Sequence, residues 1–120
     1  MQKLTKAEEE IMHMLWQHGS KTVSELIEMM GEPHPPHSSI SSIVRILEKK
    51  GFVDHEQQGR SFAYFPTIRK KDYSRFSIRG LVSRYFEGSM NELVSFLVKE
   101  EDLSLEELES IRQQLQNEEE

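Results

Sequence analysis

Four polar side chains in the middle of the sequence have the spacing needed to bind a nucleic acid together. They recur at the helical intervals i, i+3, i+4 and i+7, as Ser38, Ser41, Ser42 and Arg45. Small hydroxyl side chains let a helix backbone approach DNA closely, and hydroxyl and guanidinium groups can bind phosphates or base edges. A merely solvated helix face is the alternative, and the elements around this segment favour the DNA-binding interpretation.

The same segment carries an apolar stripe on its other face, at Ile40, Ile43, Val44 and Leu47. This pattern predicts a helix over residues 38–50 that packs one face on a core and ends at Gly51. Extended residues 52–56, a turn at 57–60 and a return over 61–65 predict a β-hairpin after it. Arg60 lies at the hairpin tip, where we expect it to contact phosphates rather than only solvent.

The other elements follow from helix-start signals. Four segments have the capping-box form Ser/Thr-x-x-Glu, beginning at Thr5, Thr22, Ser89 and Ser104. Together with apolar periodicity they predict helices over 6–17, 23–30, 70–86, 90–99 and from 105 onward. A short strand at Lys21-Thr22 stays ambiguous.

Three helices followed by a hairpin are the order of a winged helix-turn-helix domain. In that architecture the third helix enters the major groove and the hairpin, or wing, touches the flanking backbone. We therefore predict a mainly α protein with a small β-hairpin wing (α+β). A winged-helix DNA-binding domain over residues 1–68 precedes an all-helical dimerisation domain over residues 69–120.

The charge distribution agrees with this division. The net charge of −6 would by itself argue against DNA binding. Residues 1–36 carry −3, residues 37–87 carry +5 and residues 88–120 carry −8. We expect the basic middle segment to face DNA, and the acidic tail to lie away from it.

The last third of the chain has more apolar surface than three short helices can bury against each other. Such a surface predicts an interface, and a homodimer would place two recognition helices on a symmetric double-stranded DNA operator. The candidate dimer contacts are Phe76, Leu81, Tyr85, Leu93, Leu97 and Leu108. One extended monomeric core is the alternative.

Several other classes of protein are excluded or disfavoured. The chain has no cysteine, so it can have no disulfide and no thiolate metal site or nucleophile. It shows no nucleophile–base pair and no phosphate loop, and we predict neither enzyme activity nor a cofactor.

His34 and His37 flank two prolines, and we interpret them as polar loop residues rather than metal ligands. Without a long apolar run or signal peptide, we expect a cytoplasmic protein with no membrane insertion.

The ordered combination of these segments resembles the penicillinase repressor family. The resemblance lies in residues 4–16, which end in a Leu-Trp pair, in residues 40–53, and in residues 88–94 followed by 101–104. It implies a dimeric repressor on a promoter palindrome. It also implies that Ser39 occupies the position of the family's recognition-helix Thr, and that more polar or basic family positions correspond to Ser41 and Ser42.

The resemblance further implies a mode of release. Family repressors are cut within the dimerisation domain by a membrane-bound sensor metalloprotease, at an Asn-Phe bond that corresponds here to Ser95-Phe96. The first residue of the pair differs from the family's. The copper-responsive branch is excluded, because its cysteine motif is missing.

Two other functions remain open. A winged-helix regulator could sense a small molecule at its dimer interface, in a pocket lined by Tyr73, Phe76, Tyr85 and Phe86. An adaptor could instead use the acidic segment 88–120 to bind a protein, without binding DNA.

Overall fold

Local hydrogen bonds set the helix starts. The Thr5 hydroxyl accepts from the amide of Glu8 at 3.2 Å, and the Thr5 amide donates to the Glu8 carboxylate at 2.8 Å. Thr22 and Glu25 form the same reciprocal pair, at 3.2 and 2.9 Å. Two of the four predicted capping boxes, at Thr5 and Thr22, are therefore confirmed in full. Ser89 and Ser104 each accept from the backbone amide three residues ahead.

The computed structural model describes residues 1–101 and 103–119. Its elements are α1 (Lys6–His18), β1 (Lys21–Thr22), α2 (Val23–Met30), α3 (His37–Lys49), β2 (Val53–Gln58), β3 (Ser61–Pro66), α4 (Lys70–Tyr85), α5 (Met90–Glu100) and α6 (Leu105–Glu119). The predicted fold class is confirmed, because the chain is mainly helical and carries one small sheet.

The sheet is antiparallel, with strand order β1-β3-β2. The predicted hairpin is confirmed, and its register pairs Val53 with Pro66 and Gln58 with Ser61. The strand left ambiguous in the sequence is present as well, since Lys21 pairs with Tyr64 in β3. The pairing joins the start of α2 to the wing.

The core lies among the first three helices and the sheet. Leu15, Leu26, Leu47 and Phe52 are completely buried. Burying one such side chain contributes roughly 1.5–3 kcal/mol. The buried Tyr73 hydroxyl from α4 accepts from the amide of Leu4 at 2.9 Å and donates to the Glu9 carboxylate at 3.1 Å.

The chain divides into two compact units, Met1–Ser77 and Ile78–Glu120. The division therefore falls after Ser77, whereas the sequence placed the domain boundary after residue 68. The difference has a packing cause, because Tyr73 and Phe76 belong to the core cluster of the first unit. The indole N–H of Trp16 also donates to the carbonyl of Ile68 at 2.8 Å, which connects α1 to the segment just before α4.

Among the residues of the second unit whose burial the structure describes, few side chains are buried. Val82 is 3% exposed, whereas Leu81, Phe96 and Tyr85 are 40%, 46% and 71% exposed. Among the described residues, no helix is both long enough and apolar enough to cross a membrane.

Candidate nucleic-acid interface

The N-terminus of α3 is open to an anion. Pro36 occupies the N-cap position and provides no side-chain hydrogen bond, and no acidic residue lies in the first turn. The Pro36 carbonyl accepts from the amides of Ser39 at 3.1 Å and Ile40 at 3.4 Å. The partial positive charge of a helix N-terminus therefore meets no carboxylate from the first turn, and exposed Ser38 and Ser39 lie beside it.

The two faces of α3 differ as predicted. Ile40, Val44 and Leu47 are buried, and Ile43 packs against the same core. Ser38, Ser39, Ser42 and Arg45 are exposed, whereas Ser41 is half-buried. The Ser42 hydroxyl donates to the carbonyl of Ser38 at 2.9 Å. Its hydrogen is thereby used, so Ser42 is better suited to accept from a base amino group than to donate to a phosphate.

Residues of α3 and the wing meet at one cleft of about 230 Å³, which we name the α3–wing cleft. Its lining is Thr22, Val23 and Ser24, then His37, Ser41 and Arg45 of α3, and Arg60, Ser61, Phe62 and Tyr64 of the hairpin. Three of the six predicted DNA-binding residues, Ser41, Arg45 and Arg60, therefore share one concave surface although the wing arginine is distant in sequence.

The charges of this cleft are available to a ligand. Within residues 1–101 and 103–119, neither Arg45 nor Arg60 forms a salt bridge. Arg69 is different, because it binds Asp72 at 2.9 Å. The hydrogen bond that Arg69 donates to Asp72, and then the negative charge of Asp72, raise the pKa of the Arg69 guanidinium.

Seven of the ten residues that line the cleft were not predicted as DNA contacts, and three of them show the reasons. His37 is the first residue of α3, not a loop residue. The sequence feature that indicates this helix start is the preceding Pro36, because proline is tolerated where a helix begins. Ser24 follows the Thr22 cap and reaches the cleft only because β1 pairs with β3. Phe62, a large aromatic that is 50% exposed, has no local signal. His34 does lie in the loop, with Nε2 at 3.1 Å from Glu32 Oε1.

The penicillinase repressor family model matches residues 4–117. The chain belongs to the penicillinase repressor family. It is 28% identical over 116 residues to the penicillinase repressor of Bacillus licheniformis, covering 95% of this chain and 90% of that protein. It is also 28% identical over 112 residues to the methicillin resistance regulatory protein MecI of Staphylococcus aureus, covering 92% and 90%.

Two solved structures of the repressor BlaI resemble this chain. The DNA-binding domain of the repressor BlaI matches with a TM-score of 0.52 and 32% identity, over 61% of this chain and 94% of that one. The monomeric form of Bacillus licheniformis BlaI in complex with the blaP half-operator matches with a TM-score of 0.50 and 32% identity, over 60% and 89%. Penicillinase repressors are DNA-binding transcriptional repressors, so the prediction of a repressor rather than an enzyme is confirmed.

The second unit of the chain contains an apolar cavity of about 510 Å³. Its lining is Leu81, Tyr85, Phe86, Leu93, Phe96 and Leu97. Four of the six predicted dimer contacts therefore line one surface, and Leu108 is half-buried in α6. Phe76 lies elsewhere, packed against the core of the first unit beside Tyr73, at 6.1 Å between ring centroids.

The predicted cleavage position, Ser95-Phe96, falls in the middle of α5. Ser95 is exposed, and Phe96 is 46% exposed with its ring 5.5 Å from that of Phe86. No residue of α5 is fully buried. A protease needs extended backbone, so cleavage at this bond requires α5 to unfold locally, which shallow burial makes easier.

Proposed function

We propose that this protein represses transcription as a homodimer on a palindromic double-stranded DNA operator. In this proposal α3 enters the major groove and the wing contacts the flanking backbone. The observation that carries it is the α3–wing cleft, where Ser41 and Arg45 meet Arg60. The complex of a monomeric BlaI with a half-operator supports it, because a half-operator leaves the other half for a second copy. The relatives are bacterial, and bacterial DNA lies in the cytoplasm, so the proposal places the protein there.

The proposed contacts follow from the hydrogen-bonding state of each side chain. Ser38 and Ser39 contact a phosphate at the N-terminus of α3, together with the free amides there. Ser42 accepts from a base, since its hydrogen is used by the Ser38 carbonyl. Arg45 and Arg60, which have no salt-bridge partner among the described residues, bind phosphates on the two sides of the cleft.

Binding to duplex DNA at several salt concentrations tests the DNA-binding part. An operator selected from random duplexes by the full-length protein should be palindromic. The logarithm of its affinity should fall linearly with the logarithm of salt concentration, because bound phosphates release counterions. Absence of binding at low salt would overturn the repressor proposal and favour the adaptor.

The homodimer part relies on the apolar cavity of the second unit. Leu81 and Phe96 remain 40% and 46% exposed, and Tyr85 remains 71% exposed. Large apolar side chains grouped on one surface are typical of an interface. In this proposal a second copy of the chain covers this surface, and the dimer has two DNA-binding surfaces, which raises affinity for a two-site operator.

We further propose that a membrane-bound sensor metalloprotease releases the repressor by cutting between Ser95 and Phe96. A cut there divides α5 and separates two of the cavity residues, Leu93 and Leu97. The dimer surface is thereby lost, and each DNA-binding unit keeps only its weaker single-site affinity. Co-expression with the sensor protease under induction should yield a fragment that ends at Ser95. Release of DNA from an intact chain would overturn this step.

A small-molecule sensor is the second candidate, and the cavity of about 510 Å³ favours it. The predicted pocket changes, however, because Tyr73 belongs to the core of the first unit whereas Tyr85 and Phe86 line the cavity. Loss of DNA binding when an apolar metabolite is added, with the chain uncut, would favour the sensor.

A further inference from the structure

Three side chains with metal-binding atoms converge where α3 ends and the wing begins. Glu48 lies in the last turn of α3, and Asp54 and His55 lie at the start of β2. One ligand atom from each residue lies within 4.8 Å of the other two. Metal–ligand bonds of about 2.0–2.2 Å separate neighbouring ligand atoms by roughly 3–4 Å, so small side-chain adjustments suffice to bind one ion.

The imidazole of His55 is already oriented toward this point. Its Nδ1 contacts the Glu48 carboxylate, and its ring lies 4.7 Å from Phe62 and 5.6 Å from Tyr64 between centroids. The His55 amide donates to Asp54 Oδ1 at 2.8 Å, which holds that carboxylate near the ring. In metal sites, hydrogen bonds and packing from neighbouring groups normally hold the metal-binding side chains in orientation.

The local electrostatics favour a cation. Two carboxylates meet at the C-terminal end of α3, where the helix dipole is negative. Lys50 does not neutralise them directly, because its ammonium group binds Glu8 at 2.8 Å. Lys49 is exposed beside them. The side chains of Glu48 and His55 are 35% and 36% exposed, so an ion and its water ligands can reach them.

We propose that Glu48, Asp54 and His55 form a binding site for one divalent first-row transition-metal ion. One imidazole and two carboxylates suit Zn²⁺, Co²⁺ or Mn²⁺ rather than Cu⁺, which prefers sulfur. Water completes the coordination. A bound ion connects the C-terminus of α3 to the first strand of the wing, so it restrains the two elements that form the α3–wing cleft. The metal site itself does not depend on DNA binding.

Zinc titration of the full-length protein, followed by calorimetry and by NMR of the histidine rings, tests the site. One Zn²⁺ per chain should bind, and the His55 signals should shift before those of the other four histidines. His55→Gln and Glu48→Gln should each weaken binding at least about tenfold. His34→Gln is the matched control, because His34 contacts a carboxylate in a separate loop.

Three results would overturn the site. Equal zinc affinity in His55→Gln and the unchanged protein would place the ion elsewhere, as would first shifts at His34 or His37. Absence of saturable binding would show that Glu48 and His55 form only a hydrogen-bonded pair. Asp54→Asn changes an exposed residue and gives a third variant of the site. Thermal denaturation establishes that each variant is folded.

Discussion

The ammonium group of Lys50 lies 2.8 Å from Oε1 and 3.0 Å from Oε2 of Glu8. The pair joins the residue after α3 to the first turn of α1, and the side chains are only 21% and 6% exposed. Glu8 also accepts from the amide of Thr5. One carboxylate thus caps α1 and anchors the end of the helix that lines the α3–wing cleft.

Glu8→Gln should lower the free energy of unfolding by about 1–2 kcal/mol, because it removes a charge-assisted bond from a buried position. Glutamine keeps the shape of the side chain and can still serve in a capping box. Glu25→Gln is the matched control, since Glu25 has the same capping role without a lysine bond, and it should change stability by less than about 0.5 kcal/mol. Urea denaturation measures both, and equal effects would contradict the role of Lys50.

The same carboxylate predicts an acid-dependent loss of stability. Burial by itself would raise the pKa of Glu8, but the hydrogen bond from Lys50 and that from the Thr5 amide outweigh burial and lower the pKa. A lowered pKa stabilises the fold above the ordinary value of 4.5, and this contribution is lost as pH falls through the folded-state pKa. The stability difference between the unchanged protein and Glu8→Gln should therefore shrink in acid. A difference that stays constant down to low pH would contradict this account.

Arg45→Ala and Arg60→Ala should each weaken DNA binding by about tenfold. Each should also reduce the slope of log affinity against log salt concentration by about 1, because one phosphate contact is lost. Both side chains are exposed, so the fold should be unaffected. Lys3→Ala removes an exposed cation outside the cleft and is the control. Fluorescence anisotropy at several salt concentrations measures the effect, and unchanged affinity in both arginine variants would refute the assigned face.

Leu93→Asp should give monomers, because it places a charge in the apolar cavity surface. Asn91→Asp adds the same charge to an exposed position of α5 and should leave the dimer intact. Leu93 is half-buried, so Tyr85→Ala is a second test in which folding of the unit is less at risk, with Tyr85 71% exposed. Sedimentation equilibrium measures the result. Persistence of the dimer in both Leu93→Asp and Tyr85→Ala would place the interface elsewhere.

Limited digestion by thermolysin, a metalloprotease that cuts before large apolar residues, should cut before Phe96 ahead of any site in the first unit. α5 has no fully buried residue, whereas Phe52 is completely buried. Local opening of α5 should therefore cost less than opening of the core. Phe96→Ala should slow that cut. Mass spectrometry identifies the products, and a first cut within residues 1–77 would show that α5 is not the weak point.

The helices could be predicted from the sequence because their determinants are local. The hydroxyl of Thr22 and the carboxylate of Glu25 are three residues apart, so their capping box can be read directly from the chain. The apolar stripe of α3 likewise predicted its buried face, with Val44 and Leu47 fully buried. The similarity to known repressors then follows from the order of these elements.

The packing of distant residues could not be predicted in this way. The sequence predicted only a capping role for Glu8, whereas its bond to Lys50 joins residues that are 42 positions apart. Phe76 was assigned to the dimer surface, yet it packs on the first unit. The apolar spacing along α4 cannot tell which core a side chain joins, because that depends on how the helix packs.

By itself, the sequence determined the helix starts, the hairpin, the two-faced α3 and the absence of thiol chemistry, since each depends on residue type and short spacing. The tertiary structure decided which polar groups act together. Pairing of β1 with β3 brings Ser24 to the α3–wing cleft, and the hairpin brings Arg60 to Arg45. Such convergence results from long-range burial and strand pairing, whose partners no local pattern specifies.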